Sequence, residues 1–440
     1  MWLSRFQLEA RGSTVGAEVR GGVTTFLTMA YILFANPAIL AAAGVPVPAA
    51  TAATALAAGA TCLLMGLVAN FPLALASGMG LNALVAFQVA GQVGGWRTAM
   101  GIIVVEGVIV LALVATGLRE TVLDAIPRDL KRAIAGGIGL FIAFIGLVQA
   151  RLVVVPAGTV AALSKDPTAI LPPVSFGTLH AREPLIALAG LLLCAVLVAR
   201  RVRGAVLFGI LGATLLALAT GVAHLPSRLE APSFATLWQA DVRGALRLEY
   251  LPLVLSFLMV DFFDTLGTAS AVAEQAHLTD ARGRIPGARR VLAVDAVGAI
   301  LGGLFCCSSV TAYIESAAGV AEGARTGLST VVVGLLFLSC VLVAPLAGVV
   351  PACATAPALV IVGLHMFAEL ARIDFSDPLA SIPAFVTLVT LPLTYSISHG
   401  IGYGFVTYAA LALATGRARG IHPVVWGVAA TFVAFFALER

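Results

Sequence analysis

The sequence predicts an all-α integral membrane protein of about 14 transmembrane spans, and three observations carry that reading. Of 440 residues, 60% are hydrophobic and only 11% are charged, with a mean hydropathy of +1.03. A soluble domain carries roughly 25% charged residues because its surface faces water. A soluble enzyme of this size and a disordered chain are therefore excluded. The apolar residues form long runs instead of alternating with polar ones, which argues against a transmembrane β-barrel. The 45 glycines, with many alanines, suit close approach of helix backbones within a bilayer.

A span needs about 20 mainly apolar residues. Such runs lie near 16–35, 49–69, 72–91, 98–117, 130–149, 184–200 and 203–222. A polar stretch, 223–248, separates them from runs near 249–270, 290–306, 308–322, 325–346, 351–370, 380–397 and 400–415, with a further apolar segment at 422–438. The last three pieces leave room for half-spanning or interfacial helices. The first 20 residues are amphiphilic, with no apolar stretch before a cleavage site, and read as a cytoplasmic leader or interfacial helix instead of a signal peptide.

Lys and Arg set the orientation, since short cytoplasmic loops carry their excess. Arg5, Arg11 and Arg20 precede the first span; Arg119, Arg128, Lys131 and Arg132 follow the fourth. Arg200, Arg201 and Arg203 follow the sixth, Arg282, Arg284, Arg289 and Arg290 the eighth, and Arg417 and Arg419 lie near the end. All fall on one side if the N-terminus is cytoplasmic in a multi-pass protein of the cell membrane, and the loop at 150–182 then falls outside. Net charge is +4 with no long basic run, so nucleic acid is not an expected partner. The six cysteines, Cys62, Cys194, Cys306, Cys307, Cys340 and Cys353, sit in apolar stretches without metal-ligand spacing, so neither a metal nor a cofactor is expected.

An odd number of spans per half means that a second set of seven inserts upside down, giving two inverted repeats. Ile126-Pro127 through Gly139-Leu140 matches Val350-Pro351 through Gly363-Leu364 at the same spacing. The third and tenth spans, around Pro72–Asn82 and Cys307–Ser316, are both short, polar and rich in Gly or Ser/Thr. Each is expected to be interrupted by a short extended segment, which is tolerated at membrane depth only where it is buried or lines a cavity. Two facing helix N-termini with free amides would follow.

Ionisable groups inside spans are functional-site candidates, and Glu106, Asp261, Asp264 and Glu315 stand out. Asp261 and Asp264 share a helix face at i, i+3, which suits ion coupling or hydrogen bonding to a substrate N–H. Glu315 lies in the interrupted tenth span. Glu106 is equally well read as a structural partner of a neighbouring helix, and Asp295 and Glu274 are expected to be solvated near helix ends. Asn82 can bind ligand or cap a helix. His365 and His399 read as packed histidines, and Tyr313 and Phe26 could stack on a planar ligand or simply pack.

Four ordered motifs carry a family likeness: Gly22 through Pro37 (GVTTFLTMAYILFANP), Gly78-Met-Gly-Leu-Asn82-Ala, Asp261-Phe-Phe-Asp264-Thr-Leu-Gly-Thr, and Thr311-Ala-Tyr-Ile-Glu315-Ser-Ala-Ala-Gly319. With Arg325-Thr-Gly-Leu and Pro351 through Gly363, the chain resembles the Azg-like purine permeases, the hypoxanthine/guanine/adenine branch of the nucleobase–ascorbate transporter superfamily. The resemblance implies a core domain (1–125 and 249–348) and a gate domain (126–222 and 349–440), joined by an extracellular linker at 223–248, in a homodimer. It implies that Asp261 and Glu315 bind the purine, that Asn82 assists, and that Asp264 is a second essential acid. Tyr313 would stand beside the ligand, and Phe26, Thr311 and Gly78 join the expected substrate-binding set. Asp264, Asp261 and Glu315 are the expected ion-coupling residues. Cys306-Cys307-Ser308-Ser309 departs from the small Gly/Thr-type residues more usual there.

The residue chemistry agrees with a purine. Such a base is planar, uncharged and edged with N–H donors and N or O acceptors, which carboxylates, a carboxamide and free amides can meet. The expected function is secondary active import of hypoxanthine, guanine and/or adenine, by alternating access of core against gate, with a co-transported proton or Na+. Two alternatives are an anion transporter of the same architecture and a membrane-embedded Mg-dependent prenyl-transfer-type enzyme. The acids disfavour the first, and the second lacks a second Asp-rich motif.

Overall fold

A computed structural model of the chain describes residues 3–117, 126–165, 174–226, 231–280 and 285–438. Arg119, Arg282 and Arg284 of the orientation argument, and parts of the predicted loop and linker, lie outside those residues.

The predicted segments have counterparts in order. The first runs Val15–Met29, breaks at Ala30–Tyr31 and resumes as Ile32–Leu40; the second is Val47–Leu64, ending in a wider turn over Met65–Ala69. The fourth to seventh are Trp96–Thr116, Arg128–Gln149, Arg182–Ala199 and Ala205–Ala219. The eighth, Leu251–Gln275, and ninth, Ala288–Phe305, follow the linker. Then come Gly327–Cys340, Ala352–Phe367, Pro378–Leu393, Ile397–Ala414 and Pro423–Leu438. Among the described residues, eight helices are long and apolar enough to cross a membrane, and three shorter apolar ones accompany them. The protein is a multi-pass helical membrane protein.

Local chemistry sets the starts. Thr14, Thr326, Asp377 and Ser396 each accept a hydrogen bond from a first-turn N–H of the helix they precede. Pro252 and Pro378 occupy first-turn positions, where no N–H is missed.

The third and tenth segments are interrupted as expected. The strand Leu75–Ser77 (β1) leads into the helix Met79–Leu84; two residues each at Val153–Val154 (β2) and Ser175–Phe176 (β3) pair in the loop between the fifth and sixth segments; and Val310–Ala312 (β4) precedes the helix Ser316–Ala321. β1 and β4 pair antiparallel, Leu75 opposite Ala312, Ala76 opposite Thr311 and Ser77 opposite Val310, and all six residues are buried. Two further bonds extend the ladder, from Gly78 N–H to the Ser309 carbonyl (2.9 Å) and from Tyr313 N–H to the Ala74 carbonyl (3.0 Å). Every backbone polar group withdrawn from water needs such a partner at membrane depth.

Packing partners exchange when each segment is replaced by the one seven places away. The first packs on the eleventh and the eighth on the fourth; the second on the eleventh and the ninth on the fourth. The fifth meets the thirteenth and the twelfth the sixth, while the fifth and twelfth lie along each other. There Gly139 and Gly363, the glycines matched in the sequence, face one another: a Cβ on Gly139 would sit 2.6 Å from the Gly363 carbonyl oxygen, and one on Gly363 would strike the Gly139 oxygen. Gly66 and Gly327 meet in the same reciprocal way between the second and eleventh segments.

Four arginines of the orientation argument are tied to helix ends. Arg203 pairs with Glu322, Arg289 donates to the Ala115 carbonyl, Arg5 to that of Leu67, and Arg11 to those of Asn70 and Arg325. The leader is not an isolated interfacial helix. It forms two short turns, Leu3–Phe6 and Glu9–Arg11, pinned by these bonds and by the fully buried Phe6 ring against Leu328 and Val331. The linker also docks: Trp238 N–H donates to the Leu304 carbonyl and Asp241 N–H to that of Arg97.

Candidate functional site

The site is built where the eighth helix passes the paired strands. Thr311, central in β4, donates from Oγ1 to Asp264 Oδ2 at 3.1 Å. Asp264 is half-buried, while Asp261, one turn earlier, is fully buried. Glu315 follows β4 and is half-buried; the Tyr31 hydroxyl, at the break in the first segment, donates to its Oε1 at 2.9 Å. One carboxylate from each of two segments is thus held by a hydroxyl beside the strand pair.

Asn82 lies one turn into the helix that follows β1 and is fully buried. Neither its Oδ1 nor its Nδ2 has a hydrogen-bond partner among the described residues. A buried carboxamide left this way costs about 1–3 kcal/mol per group, which a polar ligand would recover. Gly78 caps that helix with no side chain, leaving the first-turn amides without intrahelical partners. Gly78 is glycine for a steric reason: a Cβ there would lie 3.0 Å from Thr311 Oγ1.

The expectation of two matching sets of free amides is half met. At the tenth segment, Ser316, Ala317 and Ala318 N–H donate to the carbonyls of Tyr313, Ile314 and Glu315, so a tight turn already occupies them. Tyr313 spends its hydroxyl on the Ser77 carbonyl at 2.5 Å, tying β4 to β1. Phe26 packs edge-on against Phe337, ring centres 5.1 Å apart. Glu106 is fully buried in the fourth segment.

Four residues gain their roles only from the fold. Asp295, expected to be solvated, is instead fully buried and accepts from Thr265 Oγ1 at 2.9 Å, because its helix starts at Ala288 and carries it two turns inward. Asn36 donates to Thr54 Oγ1 and to the Cys307 carbonyl, while Ser77 Oγ donates to that same carbonyl. Gln88 Oε1 accepts from Ile397 and Ser398 N–H, linking the third segment to the start of the fourteenth. Tyr31 and Asn36 both belong to the first motif, and Asn-Pro inside a span was their only local sign.

The unusual Cys306-to-Ser309 stretch makes the turn into β4. Cys306 (φ 59°) and Ser308 (φ 72°) both take the left-handed conformation that glycine adopts without strain. That accounts for small or glycine-type residues suiting this turn.

Residues 16–403 match the profile described as the Permease family, Xan_ur_permease. The chain belongs to this family. It is 43% identical to a permease of Methanocaldococcus jannaschii over 98% of this chain and 97% of that one. It is 39% identical to the adenine permease AdeP of Escherichia coli (97% and 94% covered) and 38% identical to the guanine/hypoxanthine permease PbuG of Bacillus subtilis (98% of each). Among solved structures, the transmembrane domain of the cyanobacterial bicarbonate transporter BicA superimposes with a TM-score of 0.63 at 17% identity, covering 88% of this chain and 97% of that one. The murine anion transporter Slc26a9 gives 0.62 at 14% identity, covering 91% and 68%. At those identities the likeness is one of fold. This permease is a transporter and not an enzyme.

Proposed function

We propose that the permease imports purine nucleobases, namely hypoxanthine, guanine and/or adenine. The observation that carries the proposal is the convergence of Asp264, Glu315 and the unpartnered Asn82 carboxamide on one buried strand pair. Carboxylates accept the N–H groups of a base, and a carboxamide can both donate and accept. The permeases of E. coli and B. subtilis named for adenine and for guanine/hypoxanthine support the same substrate class. The site segments contribute acids and no Lys or Arg, so an inorganic anion would meet repulsion there.

In this reading Asp261 and Glu315 accept from the base, Asn82 reads its edge, and Asp264 takes part in coupling to a proton or Na+. Segments one to four and eight to eleven form a core that moves against a gate of the remainder, with the repeats inverted. The homodimer, the plasma-membrane location and the cytoplasmic N-terminus belong to the same proposal.

Uptake of labelled hypoxanthine into proteoliposomes tests it, with competition by a panel of bases at two pH values, with and without Na+. Competition by purines and not by bicarbonate or sulfate is expected. An inward pH gradient that accelerates uptake without Na+ identifies the proton. Failure of every purine to compete overturns the reading. Thermal stabilisation by purines and not by Mg2+–diphosphate separates it from prenyl-transfer chemistry.

A further inference from the structure

A cavity of about 440 Å³ opens beside the arginine-bearing helix ends, lined by none of the residues of the strand pair. The leader supplies Arg5, Gln7 and Arg11 to its wall; the end of the second segment supplies Leu67, Val68, Ala69 and Asn70; and the start of the ninth supplies Pro286, Gly287 and Arg290. Among the described residues, three arginines line it and no acid does. Like charges gathered in one concavity repel unless an anion sits among them.

Part of the arrangement is held in place without neutralising it. Arg5 gives one terminal nitrogen to the Leu67 carbonyl at 2.6 Å, and Arg11 gives one to the carbonyls of Asn70 and Arg325. Carbonyls orient these side chains but carry no net charge; the buried Glu18 carboxylate acts on Arg11, which leaves Arg5 and Arg290 as the charge excess of the wall. Asn70 itself takes a left-handed conformation (φ 49°) and is fixed by its own bonds to the Phe6 carbonyl and the Gly327 N–H.

The ninth helix adds to the imbalance. It is 18 residues long, its N-cap is Gly287 with no side-chain bond, and its first turn holds Arg289 and Arg290 with no acid. The positive end of a helix dipole favours anions and disfavours cations. Arg289 turns away to the Ala115 carbonyl, whereas Arg290 faces the cavity. Val68, also in the wall, is 47% exposed and adds an apolar edge to the basic lining.

We propose that this cavity binds a phosphoryl anion. A guanidinium cluster at a helix N-terminus matches phosphate oxygens in charge and hydrogen-bonding geometry. The headgroup of an anionic phospholipid and free inorganic phosphate share that chemistry. The apolar edge of Val68 suits an acyl chain leaving the headgroup.

The test uses the purified full-length protein in neutral detergent. Melting temperature is followed while dioctanoyl-phosphatidylglycerol, dioctanoyl-phosphatidylcholine or sodium phosphate is added, with native mass spectrometry counting bound lipid. Phosphatidylglycerol is expected to raise the melting temperature and leave one retained lipid, and phosphatidylcholine to do neither. Arg290→Gln should weaken the apparent affinity about fivefold, and Arg5→Gln with Arg290→Gln about 25-fold, as expected for roughly one kcal/mol per arginine near a membrane surface. Without lipid, Arg290→Gln should leave the melting temperature unchanged or raised, because it removes a cation from a helix N-terminus. A structural arginine would lower it. If sodium phosphate stabilises as strongly as phosphatidylglycerol, the source is the free anion and the site stands. If neither anion shifts the wild type, or the shift survives the double substitution, the proposal fails.

Discussion

Tyr31 shows what a single side chain does at this site that its place in the sequence does not announce. In the chain it is one aromatic among apolar neighbours; in the fold the break at Ala30–Tyr31 aims its hydroxyl at Glu315. Replacing Tyr31 with Phe removes one hydrogen bond to a carboxylate, worth about 1.5–3 kcal/mol when the acceptor is charged. Purine affinity measured by calorimetry should fall roughly 10-fold or more, and without ligand Tyr31→Phe should lower the melting temperature of the wild type but not that of Glu315→Gln. Equal losses in both backgrounds would mean that Tyr31 acts elsewhere. Asp261→Asn and Glu315→Gln should each abolish labelled-purine uptake while the protein still reaches the membrane; retained uptake in both removes the acids from the binding role. The acids were legible because charge inside a span is expensive. Asp295 was not, because its partner Thr265 is on another helix and only packing brings the two together.

At the scale of the element, the broken third and tenth segments were readable from their Gly, Ser and Thr content, but their asymmetry was not. Whether a helix start keeps its amides free depends on a turn of three residues, and only the tenth segment closes that turn. A second hidden element is the start of the eleventh helix. Glu18, fully buried on the first segment, accepts Arg325 and Thr326 N–H on one oxygen and Ser329 N–H on the other. A carboxylate at a helix N-terminus satisfies both the amides and the dipole. Glu18→Ala leaves those donors buried, so a loss of at least about 2 kcal/mol is expected, read as a lowered melting temperature in detergent. An unchanged melting temperature would show that the amides find other partners. Close helix crossing gives a sharper case. Gly139→Ala puts a methyl 2.6 Å from the Gly363 carbonyl oxygen, and such overpacking typically costs about 1–3 kcal/mol. Gly427→Ala is the control, since a Cβ there meets nothing within 4 Å, and it should leave stability unchanged or slightly raised.

Across the whole molecule, the match between residues 126–140 and 350–364 points to a repeat, while the way the segments cross could be seen only in three dimensions. The third segment touches helices of both proposed domains, the eighth of the core and the fifth of the gate. A Cβ on Gly80 would meet both Ile138 of the fifth segment and Val260 of the eighth, and Gln88 reaches the start of the fourteenth. If core and gate move against each other, the contact between Gly80 and Ile138 must slide in every cycle. A Cβ built on Gly80 lies 2.9 Å from Ile138 Cγ2, close enough for cysteines at both positions to approach disulfide geometry. Gly80 and Ile138 are buried like the native cysteines other than Cys340, so the engineered pair is set apart by its proximity and not by its exposure. Gly80→Cys with Ile138→Cys should lose purine uptake on oxidation and regain it on reduction, with each single variant indifferent to both treatments. Uptake that persists after complete cross-linking, verified by mass spectrometry, would mean that these two segments travel together and that the moving boundary lies elsewhere.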